Sequence, residues 1–190
     1  MGTTKVVIVR GSPRHAGNTA ALADQLAEGA KAAGAEVVDF FLHGLDIAAC
    51  DACDACKVEP YDGCVVGDDM QLLYTQLAEA DAFVVASPVY YFTVSAQTKL
   101  FMDRCYGFHD GRNSRLFGKR VGILMAYEDE DPFVSGAVNA LRTFQDAYAY
   151  VGAEIVGMVY GTALEAGEIR DNVKAMDSAF ELGRKLASPR

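Results

Sequence analysis

The sequence predicts an α/β fold: a three-layer sandwich with a five-stranded parallel sheet in the order 2-1-3-4-5. Three observations predict it. Short β-branched runs alternate with segments of helical apolar spacing, and several runs are apolar throughout, as strands buried on both faces are. The length of 190 residues suits one domain of this kind and is marginal for two. Right-handed crossovers leave few other arrangements. Residues 1–190 are therefore read as one domain, interrupted by a cysteine-rich loop at about 48–67.

Each element follows in order. Lys5–Arg10 is a β-branched run closed by Gly11, and so a strand. Between Thr19 and Ala33, Leu22, Leu26 and Ala30 recur every four residues, a helix stopped by Gly34. Val37–Phe41 is the second strand. After the cysteine loop, Met70, Leu73 and Leu77 share a helical face behind a capping Asp68 or Asp69. Ala82–Ala86 is the third strand. Ser95 to Tyr106 reads as a helix, with Val94, Thr98, Phe101 and Cys105 at helical spacing. Val121–Ala126 is the fourth strand and Ile155–Val159 the fifth. The helix between them runs through Val138, Leu141 and Tyr148, and the last through Val173, Met176 and Phe180.

Composition narrows the partners. A net charge of −9 argues against nucleic acid, whose phosphates attract basic faces. The longest apolar runs, such as Val6–Val9 and Phe83–Ala86, are strand-sized and too short to cross a bilayer. The opening MGTTKVVIVRG lacks a basic leader followed by a long apolar stretch, and Val6 stands where a myristoylation motif wants Ser or Thr. The expectation is a cytoplasmic protein with neither a nucleic-acid nor a membrane partner.

In open parallel sheets, ligands bind beyond the carboxyl ends of the strands, near the switch point beside the first. The loop there is Gly11-Ser-Pro-Arg-His-Ala-Gly-Asn-Thr19. It enters a helix whose unpaired N–H groups and positive dipole end suit a phosphate. Ser12 and Thr19 add hydroxyls, Asn18 an amide, and Gly17 a close backbone approach. The alternative is an ordinary strand-to-helix turn capped by Asn18. The loop is neither a P-loop nor a GxGxxG fingerprint.

GSPRxxGNT after the first strand resembles the phosphate loop of the NADPH-dependent FMN reductase family, which is flavodoxin-like. A second block, Ala80 to Arg104, is similar to that family's strand, Ser-Pro-Val-Tyr and helix ending Lys-x-Phe-x-Asp-Arg. The resemblance implies bound FMN. By position, Ser12, Arg14, Gly17, Asn18 and Thr19 would hold its phosphate, while Pro88, Val89, Tyr90, Tyr91 and Phe92 would line the isoalloxazine. A flavin wants a flat apolar contact and a few fixed hydrogen bonds. The acidic run Glu128–Asp131 departs from the glycine-rich residues often found there in plain reductases. It reads as a solvated stretch, with Asp131 capping a helix that begins at Pro132. Lying on the flavin edge, it disfavours a second anionic ligand such as NADPH.

Four of the five cysteines follow the spacing Cys50-x2-Cys53-x2-Cys56-x7-Cys64. Redox compartment and strain disfavour disulfides, and zinc usually takes separated pairs. C-x2-C-x2-C wraps three corners of a [4Fe–4S] cube in ferredoxins, although there the fourth cysteine stands closer and precedes a proline. Cluster, free thiols, zinc and disulfide are the four readings. The loop is also similar to the compact motif of iron–sulfur flavoproteins, a branch of the same family. That likeness implies Cys50, Cys53, Cys56 and Cys64 as ligands. Cys105 reads as a core residue, and His15, His43 and His109 show no metal spacing.

The resemblance implies an oxidoreductase passing electrons from NAD(P)H or ferredoxin, through FMN, to a small acceptor such as a flavin or quinone. It also implies a homodimer or homotetramer. The competing function is a non-catalytic FMN-binding module whose loop holds zinc or free thiols. A hydrolase is opposed by the lack of a Gly-x-Ser-x-Gly elbow.

Overall fold

The computed structural model describes residues 2–109 and 114–188. Its strands are β1 (Lys5–Arg10), β2 (Glu36–Phe41), β3 (Ala82–Tyr90), β4 (Thr93–Val94), β5 (Arg120–Tyr127) and β6 (Glu154–Thr162). Five of them run parallel in the order β2-β1-β3-β5-β6, the expected 2-1-3-4-5 once β4 is set aside. The β-branched run explains β1: Val6, Val7, Ile8 and Val9 are each 0% exposed, covered by strands on both sides and helices on both faces. At the sheet edge, β2 is only half-buried.

The sixth strand is a departure from the sequence reading. β3 does not stop at Ala86, because Ser87 and Pro88 stay in register with Met125 and Ala126 of β5. The chain then doubles back, pairing Val89 with Val94 and Tyr90 with Thr93.

The helices are α1 (Asn18–Ala32), α2 (Met70–Glu79), α3 (Ala96–Arg104), α4 (Ala137–Tyr150) and α5 (Val173–Ala187). α1 and α5 pack on one face of the sheet, and α2, α3 and α4 on the other. Leu22, Leu26 and Ala30 are fully buried as their spacing requires. Replacing Leu26 by Ala would cost about 2–5 kcal/mol.

Three helices depart from the sequence reading. The last helix leaves Val173 68% exposed and Met176 and Phe180 only half-buried, Met176 packing at the edge of the core; the fully buried face is Ala175, Ala179, Leu182, Gly183 and Leu186. The reason is backbone contact between α1 and α5. A Cβ on Gly183 would lie 2.0 Å from the Leu26 carbonyl oxygen, and one on Gly29 2.0 Å from that of Phe180. Only small residues permit that crossing. Nor does α4 begin at Pro132. Asp131 does accept from the Phe133 N–H at 2.6 Å, but it caps a turn, and the helix starts at Ala137 after Gly136 at φ +76°. α3 is shorter than expected: Ser95 caps it, accepting from the Thr98 N–H at 3.2 Å. The chain tightens into a 3-10 turn at Cys105–Phe108.

Candidate functional site

The carboxyl ends of β1, β3, β5 and β6 frame an open cleft of about 250 Å³. Ser12, Arg14, Gly17, Asn18, Thr19, Pro88, Val89 and Tyr90 all line it, with Ala126, Tyr127, Glu128, Ala163 and Leu164 opposite. The parallel register explains the convergence, since Arg10 pairs with Ala86 and Pro88 with Ala126. The two motif loops therefore leave the sheet side by side.

The first loop closes on itself. Ser12 Oγ accepts from the Arg14 N–H at 3.1 Å, and the Gly17 N–H donates to the Arg14 carbonyl at 3.2 Å. Gly17, not Asn18, is the residue before α1. The first-turn N–H groups of Asn18, Thr19 and Ala20 have no acceptor among the described residues, as at any helix start, and they form an anion-binding end. The Asn18 side chain is not a cap. It donates to the Ala163 carbonyl at 3.3 Å and accepts from the Ile169 N–H at 3.2 Å, tying the loop to the segment after β6. Arg14 is exposed at the mouth. His15 stacks on Phe41, ring centroids 3.7 Å apart.

The two loops share a buried polar knot. Ser95 Oγ lies 2.6 Å from the Gly11 carbonyl, and Ser87 Oγ accepts from the Ser95 N–H at 3.1 Å. Gly11 has no room for a side chain: a Cβ there would sit 1.8 Å from Thr98 Oγ1.

Tyr91 and Phe92 do not line the cleft. They form the two-residue turn between β3 and β4, at φ +48° and +69°, where Asn-Gly is the usual choice. Aromatics in this region cost on the order of 1–3 kcal/mol each. The turn is braced from α4, since Asn139 Nδ2 donates to the Phe92 carbonyl at 3.1 Å. Tyr91 is left 96% exposed at the rim. Tyr127, which the sequence reading left out, is a buried wall of the cleft; burial, then Tyr160 and Asp131, push its hydroxyl pKa up.

The cysteine loop lies beyond β2. Cys50, Cys53, Cys56 and Cys64 line one narrow cavity, about 20 Å³, together with Arg104, Tyr106 and Gly107. No disulfide joins them. Among the described residues no three His, Cys, Asp or Glu side chains are placed to hold one metal ion; a cubane differs in that each thiolate meets its own iron. The backbone between the thiols is wound into left-handed steps at Ala52 (φ +57°) and Asp54 (φ +56°), the kind of turn that gathers N–H groups around an anion. Gly107 leaves space on the far wall, because a Cβ there would lie 3.0 Å from Cys64 Cβ and 2.6 Å from Tyr74 Oη. Burial pushes the Cys56 thiol pKa up. Cys105 packs against the core as read, with a thiol also raised by burial.

What holds this loop is a buried ion pair that the sequence reading did not assign. Arg104, 1% exposed, pairs with Asp68, 8% exposed. Arg104 Nη1 also donates to the Ala48 carbonyl at 2.9 Å, and Asp68 Oδ2 accepts from the Ala48 N–H at 2.9 Å. Asp68 also meets the start of α2, accepting from the Met70 N–H at 3.0 Å, although the residue in the cap position is Asp69, whose side chain makes no cap bond. Burial alone would raise the Asp68 pKa, but the bonds from Arg104, Ala48 and Met70 outweigh it and hold the carboxylate below its usual range. Gln71 clasps the far end through the carbonyls of Cys64 and Val66, at 2.9 and 2.7 Å. Arg104 closes the Lys-x-Phe-x-Asp-Arg block and was visible as a motif. Its partner lies 36 residues away, and nothing in the spacing names it.

Residues 4–162 match the model of the NADPH-dependent FMN reductase family. An iron–sulfur flavoprotein of Archaeoglobus fulgidus is 32% identical over 186 residues, covering 96% of this chain and 79% of its own length. Another from Methanocaldococcus jannaschii is 36% identical over 194 residues, covering 96% and 95%. In three dimensions the chain resembles the NAD(P)H:quinone oxidoreductase of Methanothermobacter marburgensis, with a TM-score of 0.75 at 17% identity and full coverage of both chains. That likeness speaks for the fold. With the two motif loops joined at one cleft and the four clustered cysteines on one cavity, the chain belongs to the NADPH-dependent FMN reductase family, in its iron–sulfur flavoprotein branch.

Proposed function

We propose that this oxidoreductase binds FMN in the cleft and a [4Fe–4S] cluster in the cysteine loop. It carries electrons from NAD(P)H or a reduced ferredoxin to a small acceptor such as a flavin or quinone, as a cytoplasmic homodimer or homotetramer. The observation that carries the reading is the convergence of the Ser12–Thr19 loop and the Pro88–Tyr90 segment on one cleft. FMN supplies hydride acceptance and single-electron release, and a cluster takes one electron at a time.

The residues bind and orient. The N–H groups of Asn18, Thr19 and Ala20, with Ser12 and Arg14, suit a dianionic phosphate. Pro88, Val89 and the Tyr127 ring offer the apolar wall. Glu128 puts a carboxylate at the mouth, which opposes the 2′-phosphate of NADPH and favours NADH or a protein donor. The cluster half is supported by the four thiols on one cavity, the wound backbone at Ala52 and Asp54, and the names of the two relatives.

The test is an absorption spectrum of protein purified without oxygen, with iron, acid-labile sulfide, zinc and FMN assayed on the same sample. Flavin bands, a broad violet shoulder and about four irons and four sulfides per chain are the expected result. Flavin without iron would leave an FMN reductase whose cysteines bind nothing. Flavin with zinc and no turnover would favour the non-catalytic module.

A further inference from the structure

We infer that Arg104 tunes the cluster: its guanidinium is a buried hydrogen-bond donor to the sulfur of Cys64, and it raises the cluster's reduction potential. This inference rests on the reading that the loop holds a cluster, and it adds a residue outside the four thiols.

The guanidinium is almost fully spoken for, in a directional way. Nη1 serves the Ala48 carbonyl and Asp68. Nη2 lies 3.1 Å from Asp68 Oδ1 and 3.4 Å from Cys64 Sγ. A terminal guanidinium nitrogen has two hydrogens; Asp68 takes one and the sulfur the other. Nε is buried with no partner among the described residues, so the group is held by its far edge alone, and that edge faces the cysteine cavity. The main chain is fixed too, for Tyr74 Oη donates to the Arg104 carbonyl. A mere strut would need only the Asp68 and Ala48 contacts.

The consequence follows from electrostatics. Adding an electron to a thiolate-ligated cluster increases negative charge on its sulfurs. An N–H donor on a cation 1% exposed strengthens its bond as that charge grows, and water screens it little. The reduced form is therefore stabilised more than the oxidised form, which moves the potential upward; hydrogen bonds to sulfur are among the features that set cluster potentials. Lysine cannot replace it, because a point ammonium lacks the planar fork that spans Asp68 and Cys64 together.

The experiment uses the full chain purified without oxygen, grown with arginine carrying ¹⁵N in the guanidinium. Pulsed EPR of the reduced cluster should show ¹⁵N coupling in the unaltered protein and none in Arg104→Lys. A potentiometric titration of the cluster signal should give a lower midpoint for Arg104→Lys. Iron present in the unaltered protein without ¹⁵N coupling overturns the inference while leaving the cluster reading intact. An unchanged midpoint in an Arg104→Lys protein that keeps its iron overturns it as well. If that variant loses its iron, the coupling in the unaltered protein decides alone. No iron in the unaltered protein removes the cluster reading, and this inference with it.

Discussion

The cleft and the cysteine loop sit at neighbouring loops of one sheet, yet they are held in opposite ways. The walls of the cleft are placed by main chain in parallel register, and the side-chain hydroxyls of Ser87, Ser95 and Thr98, with the Gly11 carbonyl, lock the two loops together. The cysteine loop has no strand or helix from Leu45 to Asp69 except a three-residue 3-10 turn at Ala55–Lys57. It hangs on side chains, chiefly Arg104, Asp68 and Gln71. Many weak backbone bonds share a load that one or two side chains carry in the loop. The loop should therefore fail at single residues, and the cleft should resist most of them.

The largest effect expected is from Arg104→Met, which strands the Asp68 carboxylate in the interior. Urea unfolding should register a loss of about 3–5 kcal/mol; a loss below 1 kcal/mol would show that the loop does not depend on the pair. Gly11→Ala strikes the buried knot that joins the two cleft loops. With Thr98 Oγ1 1.8 Å from the new Cβ, it should lose about 1–3 kcal/mol and release FMN, measured by flavin fluorescence on dilution. Asn18→Ala leaves the fold intact but frees the phosphate loop from Ala163 and Ile169. A loss of about 1.4 kcal/mol would raise the FMN Kd roughly tenfold in a fluorescence titration, and an unchanged Kd would mean that main chain alone sets the loop.

Two smaller effects sharpen the contrast. Tyr91→Asn with Phe92→Gly relieves the left-handed turn and should stabilise the chain by about 1 kcal/mol. Weaker turnover in the same variant would show that the strain serves the acceptor. Because the Asp68 carboxyl is held below its ordinary value, its contribution is full above about pH 3.9 and is lost as pH falls through the depressed value. Stability should thus be insensitive to this group between about pH 5 and 8, and Asp68→Asn, which also strands Arg104 and so lowers the whole profile, should flatten its acid limb.

How much was legible follows the range of the interactions. The β-branched runs read as strands because period and composition are local. The phosphate loop and the Ser-Pro-Val-Tyr segment read as a site because each is contiguous. Asn18 was legible as important but not for its actual bonds, whose partners lie 145 and 151 residues away. Arg104 was visible only as the last letter of a motif.

The sequence by itself determined the strand order, the two loops that meet at the cleft and the four thiols in one segment, since these rest on apolar period and short spacing. Only the tertiary structure decided the rest. It set the buried face of α5, because close backbone contact with α1 at Gly29 and Gly183 turns Ala175, Ala179, Leu182 and Gly183 inward. It also decided that Tyr91 and Phe92 turn outward, and that Arg104 closes on Asp68 and Cys64. Packing distance and burial set these outcomes, and both are properties of residues brought together by the fold.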